Sequence, residues 1–315
     1  MTFSPPFLRV SHVSVTADLE EYLLNALNPK ELQVKRSHFP RDFAFGVSTS
    51  AAQIEGSTKE GGRGPSVWDH FIEKNPEIIY DHSNLFTAID SYKRYKEDVK
   101  AVKDLGVDSY RFSISWTRIF PNGTLSGGIN QEALEDKYGG FLNRSIVNDF
   151  EDYCEICFKT FGDRVKNWIT INEPYIIAVM GYDSGVSPPE SLKEFWTFNL
   201  EPLVSGQYPK SMRVLVKERV PKFTKEKKKL IKGSFDFIGI NYYTARYAKH
   251  DPMSPNKAMC YRNDALALSL VENIDGDQIG PPAKGSFMIY SYPQGLEKLL
   301  VFMKQNYQNP KIYIS

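Results

Sequence analysis

Cysteine is scarce. Three residues, Cys154, Cys157 and Cys260, in a chain of 315 cannot supply the disulfide framework of a small secreted scaffold. Long apolar runs are missing too, and none approaches the roughly 18 residues of a membrane span. Met1 to Asn28 has no apolar stretch of a leader's length and places Asp18, Glu20 and Glu21 early, which argues against a cleaved secretory segment. The expected location is therefore intracellular, in the cytoplasm. There the sequons Asn122-Gly123-Thr124 and Asn143-Arg144-Ser145 would not meet the glycosylating enzyme. Charge of one sign is lacking as well: 39 Lys and Arg face 38 Asp and Glu. That leaves no global field to draw nucleic acid or an anionic membrane, so neither is expected as a partner. Five histidines without metal-ligand spacing, and no glycine-rich phosphate loop, imply no metal and no cofactor.

What is present suits a large globular core and a neutral small-molecule partner. Hydrophobic residues make up 41% and aromatics 13% of the chain, a richness shared by sugar-binding proteins and by plain large cores. Helical and strand-like patterns alternate. Tyr92, Tyr95, Val99 and Val102 recur at helical spacing before Gly106, and the next run, Ser109 to Trp116, alternates as a strand. Ile146, Phe150, Tyr153, Cys157 and Phe161 mark a second amphipathic helix, with Gly162 placed for a left-handed cap, and the strand-like Val165 to Glu173 follows. Pro293 opens a third helix carrying Leu296, Leu299, Leu300 and Met303, and the apolar Ile312-Tyr313-Ile314 comes after it. Phe43 to Ser48 and Phe235 to Ile240 are two further strands. Helix-then-strand repetition implies parallel right-handed crossovers, hence a doubly wound sheet or an α/β barrel.

Functional residues of such folds sit where the strands end. Gln53 and Glu55 follow the first strand, Arg111 lies within the second, Asn172 and Glu173 close another, and Asn241-Tyr242-Tyr243 close a fourth. Any one of these is readily an ordinary loop polar. All four together are less easily so.

These residues carry a resemblance. Phe45-Gly46-Val47-Ser48-Thr49-Ser50-Ala51-Ala52-Gln53-Ile54-Glu55-Gly56, Tyr110 to Trp116, Thr170-Ile171-Asn172-Glu173-Pro174 and Asp236 to Tyr243 are together similar to family 1 glycoside hydrolases of the plant β-glucosidase kind. Gly61 to Asp69, Tyr138 to Phe141 and Tyr208 to Met212 support it. The resemblance implies a TIM (β/α)8 barrel over residues 37–315, preceded by a poorly ordered extension over 1–36. It implies retaining hydrolysis of a β-glucoside by two carboxyl groups about 5–5.5 Å apart. By the same resemblance, Glu173 is the acid/base, Asn172 meets the sugar 2-hydroxyl, and Gln53 meets the outer hydroxyls of the terminal sugar. Arg111 and Tyr243 orient the nucleophile.

The departures matter equally. In the family the nucleophilic glutamate comes just after the strand that ends here at Ser315, so the carboxylate expected opposite Glu173 is absent from this sequence. A helix, the third strand and its sugar contact are omitted at Glu132-Ala133, and the fifth strand is omitted between Gly185 and Phe195. About five of eight strands remain. Five strands from nonadjacent positions cannot close a barrel, so a poorly stable chain with open sheet edges is expected. Such edges favour self-association or association with intact homologues. The expected activity is β-glucosidase-type by family but nil or nearly so for this polypeptide; the alternative is a non-catalytic sugar-binding or interaction remnant.

Two other signals have plainer explanations. Cys154-Glu155-Ile156-Cys157 has metal spacing but lies inside an amphipathic helix, where core packing accounts for it. The basic run Lys222, Lys225, Lys227, Lys228, Lys229 and Lys232 is interrupted by Glu226 and reads as a solvated helix.

Overall fold

A computed structural model describes residues 35–79, 83–125, 131–190, 200–252, 260–284, 286 and 288–315. The expected N-terminal extension therefore lies outside the described residues up to position 34. Arg36 is already docked, paired with Asp108 at 3.2 Å and set over the Phe45 ring.

Four of the five anticipated strands form, as two separate parallel pairs. β1 (Gly46–Ser48) pairs with β2 (Ser109–Arg111), and β3 (Ile238–Ile240) pairs with β6 (Ile312–Ile314). Between them in sequence, 165–173 runs extended with no ladder to any described neighbour. This departs from the strand expected there. A ladder needs at least one adjacent strand, and the segments expected to flank this one are those read as omitted from the sequence. Side chains bridge the gap instead: Ile169 Cδ1 lies 3.7 Å from where a Cβ on Gly239 would stand. A hairpin of β4 (Tyr247–His250) and β5 (Ala267–Leu270), antiparallel, follows β3 and was not anticipated from the sequence.

The three long helices stand where the periodicity placed them: α1 (Ser91–Asp104), α2 (Ser145–Phe161) and α5 (Pro293–Asn306), with α3 (Lys210–Leu215) and α4 (Lys225–Ile231) between. Gly106 closes α1 at φ +66°, a conformation cheap only for glycine. Gly162 is different. Its φ is −65°, right-handed, because Arg164 and Val165 continue to donate to the Phe161 carbonyl and the turn unwinds without a left-handed cap.

The apolar faces of these helices are not closed over. Tyr95, Val99 and Leu105 are 56%, 54% and 67% exposed, although their spacing marks a core-facing stripe. No residue of β1, β2, β3 or β6 is fully buried, whereas barrel strands are ordinarily covered on both faces. The buried apolar residues gather in small clusters, such as Phe71, Ile72, Ile79 and Leu85. Cys157 is buried in α2 and burial raises its thiol pKa, in keeping with a packing role.

One polar anchor is well sealed. Asp69 accepts from the backbone and hydroxyl of Ser66 and pairs with Arg63 at 2.8 Å, both side chains under a tenth exposed. Asp69→Ala leaves the Arg63 charge buried and unpaired, a loss of about 3–5 kcal/mol. The expected result is faster amide hydrogen exchange across Val67–Lys74, measured by mass spectrometry; unchanged exchange would show that the pair contributes nothing.

Candidate active site

The carboxyl ends of β1, β2, β3 and β6 and of the extended 165–173 meet in one polar cluster. Arg111, at the end of β2, donates through Nη2 to Asn172 Oδ1 at 2.5 Å and through Nη1 to Ser315 Oγ at 2.7 Å. Ser315 follows β6; its hydroxyl lies 3.4 Å from Ser48 Oγ at the end of β1, and its backbone N–H bonds the Ile240 carbonyl of β3 at 2.8 Å. Asn241, just past β3, donates from Nδ2 to Glu173 Oε1 at 2.6 Å and to Asn172 Oδ1 at 3.2 Å. Tyr243 lies close enough for the Glu173 charge to act on its phenol. Where the backbone ladder fails, these side chains hold the segment ending in Glu173 to its neighbours.

Glu173 itself sits in the left-handed region at φ +46°, ψ +54°. A non-glycine residue there carries strain on the order of 1–3 kcal/mol, and such residues cluster at functional sites. Pro174 explains part of it, since the residue before proline is sterically steered away from the right-handed helix. The chain then turns into Pro174–Ile176 and continues as the π-helix Ile177–Asp183, whose Ala178, Val179, Gly181 and Tyr182 are buried. Glu173 is half-buried, Asn172 exposed, and Arg111 half-buried. Among the described residues no second carboxylate hydrogen-bonds or pairs with the cluster.

Of the residues singled out in the sequence, Glu173, Asn172, Arg111 and Tyr243 come together. Gln53 lies exposed on the short helix Ala51–Ile54 beyond β1, and its side chain takes no part in the cluster. Glu55 is engaged structurally, bonded to Arg118 at 2.6 Å while that guanidinium covers the Tyr92 ring at 3.7 Å. Arg111 bonds Ser315 and Asn172, while Tyr243 feels the charges of both Glu173 and Arg111. Asn241, named in the sequence as one of the polar residues closing its strand but given no role there, is the described residue that touches both Asn172 and Glu173. Its signal was its place at the end of an apolar run. A surface groove of about 420 Å³ lined by Lys35, Arg36, Phe39, Phe45, Leu105 and Asp108 lies at the other, amino-terminal ends of β1 and β2. It is remote from this chemistry.

Burial, with the Glu173 charge second, raises the Tyr243 pKa above its usual value, while Arg111 opposes the shift. Ionising the phenol would set two anions side by side, so Glu173→Gln is expected to lower the Tyr243 titration midpoint. Tyrosine ring-carbon NMR, with Tyr243→Phe for assignment, measures it; a midpoint unmoved by the substitution would separate the two groups.

The glycosyl hydrolase family 1 profile matches residues 35–135, 131–199 and 190–315. The chain belongs to glycosyl hydrolase family 1. The match is in three segments, and its breaks at 131–135 and 190–199 coincide with the two interior omissions read from the sequence. Among curated relatives, a furostanol glycoside 26-O-β-glucosidase of Hellenia speciosa is 41% identical over 391 residues, covering 91% of this chain and 69% of the relative. Rice β-glucosidase 12 is 41% identical over 389 residues, covering 90% and 76%. Both alignments are longer than the 315-residue chain, so these relatives carry residues within the aligned span that this family 1 chain lacks. Among solved structures, a rice β-glucosidase mutant in covalent complex with glucose superposes with a TM-score of 0.82 at 31% identity, over 89% of this chain and 80% of that one. A fungal β-glucosidase from Humicola insolens in complex with glucose gives 0.75 at 32% identity, over 88% and 78%. The fold is thus the TIM barrel of family 1, here incomplete.

Proposed function

We propose that this family 1 chain carries the acid/base half of a retaining β-glucosidase site, with Glu173 as the proton donor. The observation that carries the reading is the hold on Glu173, whose carboxyl accepts from Asn241 Nδ2 at 2.6 Å at the end of the incomplete barrel. A retaining hydrolase needs a carboxylic acid that protonates the departing oxygen and a second carboxylate that attacks the anomeric carbon. The acid then acts as base, drawing a proton from the water that cleaves the glycosyl ester. The names of the relatives support a β-glucoside as substrate, and the rice enzyme's covalent complex with glucose supports the retaining route. Asn172, its carbonyl oxygen occupied by Arg111 and Asn241, is placed to meet a sugar hydroxyl.

A second carboxylate is required for turnover, and the 315-residue polypeptide brings none to the cluster among its described residues. A chimaera tests the assignment of Glu173. The rice β-glucosidase 12 sequence, inserted at the two interior breaks and appended after Ser315, is expected to give a protein that hydrolyses aryl β-glucosides. In that chimaera Glu173→Gln should slow hydrolysis of poor leaving groups by about 100-fold or more, because they need the proton most. An active chimaera indifferent to this substitution would refute the acid/base role.

A further inference from the structure

The net charge of +1 conceals a local imbalance. Ten of the 39 Lys and Arg but only two of the 38 Asp and Glu fall within residues 210–232. α3, the turn Lys217–Arg219 and α4 pack around Tyr208, Val216 and Val220, with Met212 and Phe223 against them. Tyr208 and Phe223 stack at 5.0 Å. With that cluster turned inward, the cations remain outside: Lys217, Lys222, Lys225, Lys227, Lys229 and Lys232 are all exposed. Little neutralises them. Lys222 and Glu218 approach to 3.4 Å in open solvent, and the buried Asp264 ties down only Arg219.

The residues among these cations decide what the face fits. Val214, Leu215 and Leu230 are 59%, 44% and 75% exposed. The segment's one aromatic residue, Phe223, is committed to the inner cluster. Single-stranded nucleic acid gains its affinity by stacking bases on exposed rings, which this face does not offer. An anionic bilayer calls for lysines that reach the headgroups and aliphatic side chains that enter the boundary beneath them. We propose that residues 210–232 form a docking face for an anionic lipid surface.

Flotation of the full chain with lipid vesicles tests this, because vesicle-bound protein rises while self-associated protein sinks. The expected result is recovery with phosphatidylserine-containing vesicles, none with phosphatidylcholine alone, and release by salt. Each lysine removed near an anionic surface weakens partitioning about five-fold, so Lys225→Glu, Lys227→Glu and Lys229→Glu combined should lower it by at least about 100-fold. Leu230→Ser, which leaves the charge unchanged, should lower it by about ten-fold. Equal flotation with neutral vesicles would overturn the proposal. So would vesicle binding indifferent to Leu230→Ser and matched by binding to double-stranded DNA, which would mark a general polyanion face.

Discussion

Incubated with p-nitrophenyl β-D-glucoside, the 315-residue polypeptide is expected to release nitrophenol no faster than buffer, with Glu173→Gln making no measurable difference. Enzymes of this kind lower the barrier by about 8–23 kcal/mol, and groups that act as a unit fail as a unit: removing one costs about 10³ to 10⁶ in rate. In the proposed role Glu173 offers a proton to a departing oxygen. It cannot also supply the anion that captures the anomeric carbon from the opposite face, and Arg111 here contacts two neutral groups, Ser315 Oγ and Asn172 Oδ1. A further requirement is position, since the two carboxyl groups of a retaining hydrolase must stand about 5–5.5 Å apart. Hydrolysis above background that Glu173→Gln abolishes would overturn this expectation and would show that another carboxylate reaches the anomeric carbon.

The second large effect concerns folding. Heated in a calorimeter, the chain is expected to give a broad, weak transition in place of a sharp two-state peak, to bind the dye ANS strongly before heating, and to associate at micromolar concentration. The magnitudes favour this outcome. Fully burying a large apolar side chain contributes about 1.5–3 kcal/mol, and half of that is forgone at half exposure. Tyr95, Val99, Leu105, Phe112, Ile169 and Ile171 are all more than a third exposed. Together they forgo about 5–9 kcal/mol, comparable with the whole net stability of an ordinary domain. The unladdered backbone of 166–172 adds donors and acceptors open to another chain. A sharp melt with equal calorimetric and van't Hoff enthalpies would show instead that the shortened sheet repacks into a cooperative unit.

Local pattern was a good guide to what neighbouring residues decide for themselves. The helices at Ser91–Asp104, Ser145–Phe161 and Pro293–Asn306 follow from spacing and punctuation, and so do the short strands β1, β2, β3 and β6. The failures arise where a distant partner decides. Val165 to Glu173 alternates like a strand, but pairing depends on sequence-remote neighbours that are not there to pair with. Tyr95 and Val99 lie on an amphipathic stripe, yet a stripe specifies a face to be covered and not the surface that covers it. Gly162 permits a left-handed cap without requiring one. Glu173, Asn172, Arg111 and Tyr243 were legible through motif resemblance, whereas the clamping role of Asn241 became visible only once residues 68 positions apart stood side by side. The breaks of the family match at 131–135 and 190–199 flank the unladdered 165–173 in sequence.

The hydrogen-bond chain through the cluster has a direction. Asn172 Oδ1 receives from Arg111 on one side and Asn241 on the other, and both amide protons of Asn241 are spent on Asn172 and Glu173. A guanidinium can only give, so the sense of every later link is set by the first, and turning either amide over would bring donor against donor or acceptor against acceptor. The arrangement therefore admits a single orientation of both asparagines. It leaves the Asn172 amino group with hydrogens to spare, so at that point a visiting molecule must present an oxygen lone pair and not a proton. Selectivity of this sort survives the loss of barrel strands, because a polar relay a few side chains long encodes it.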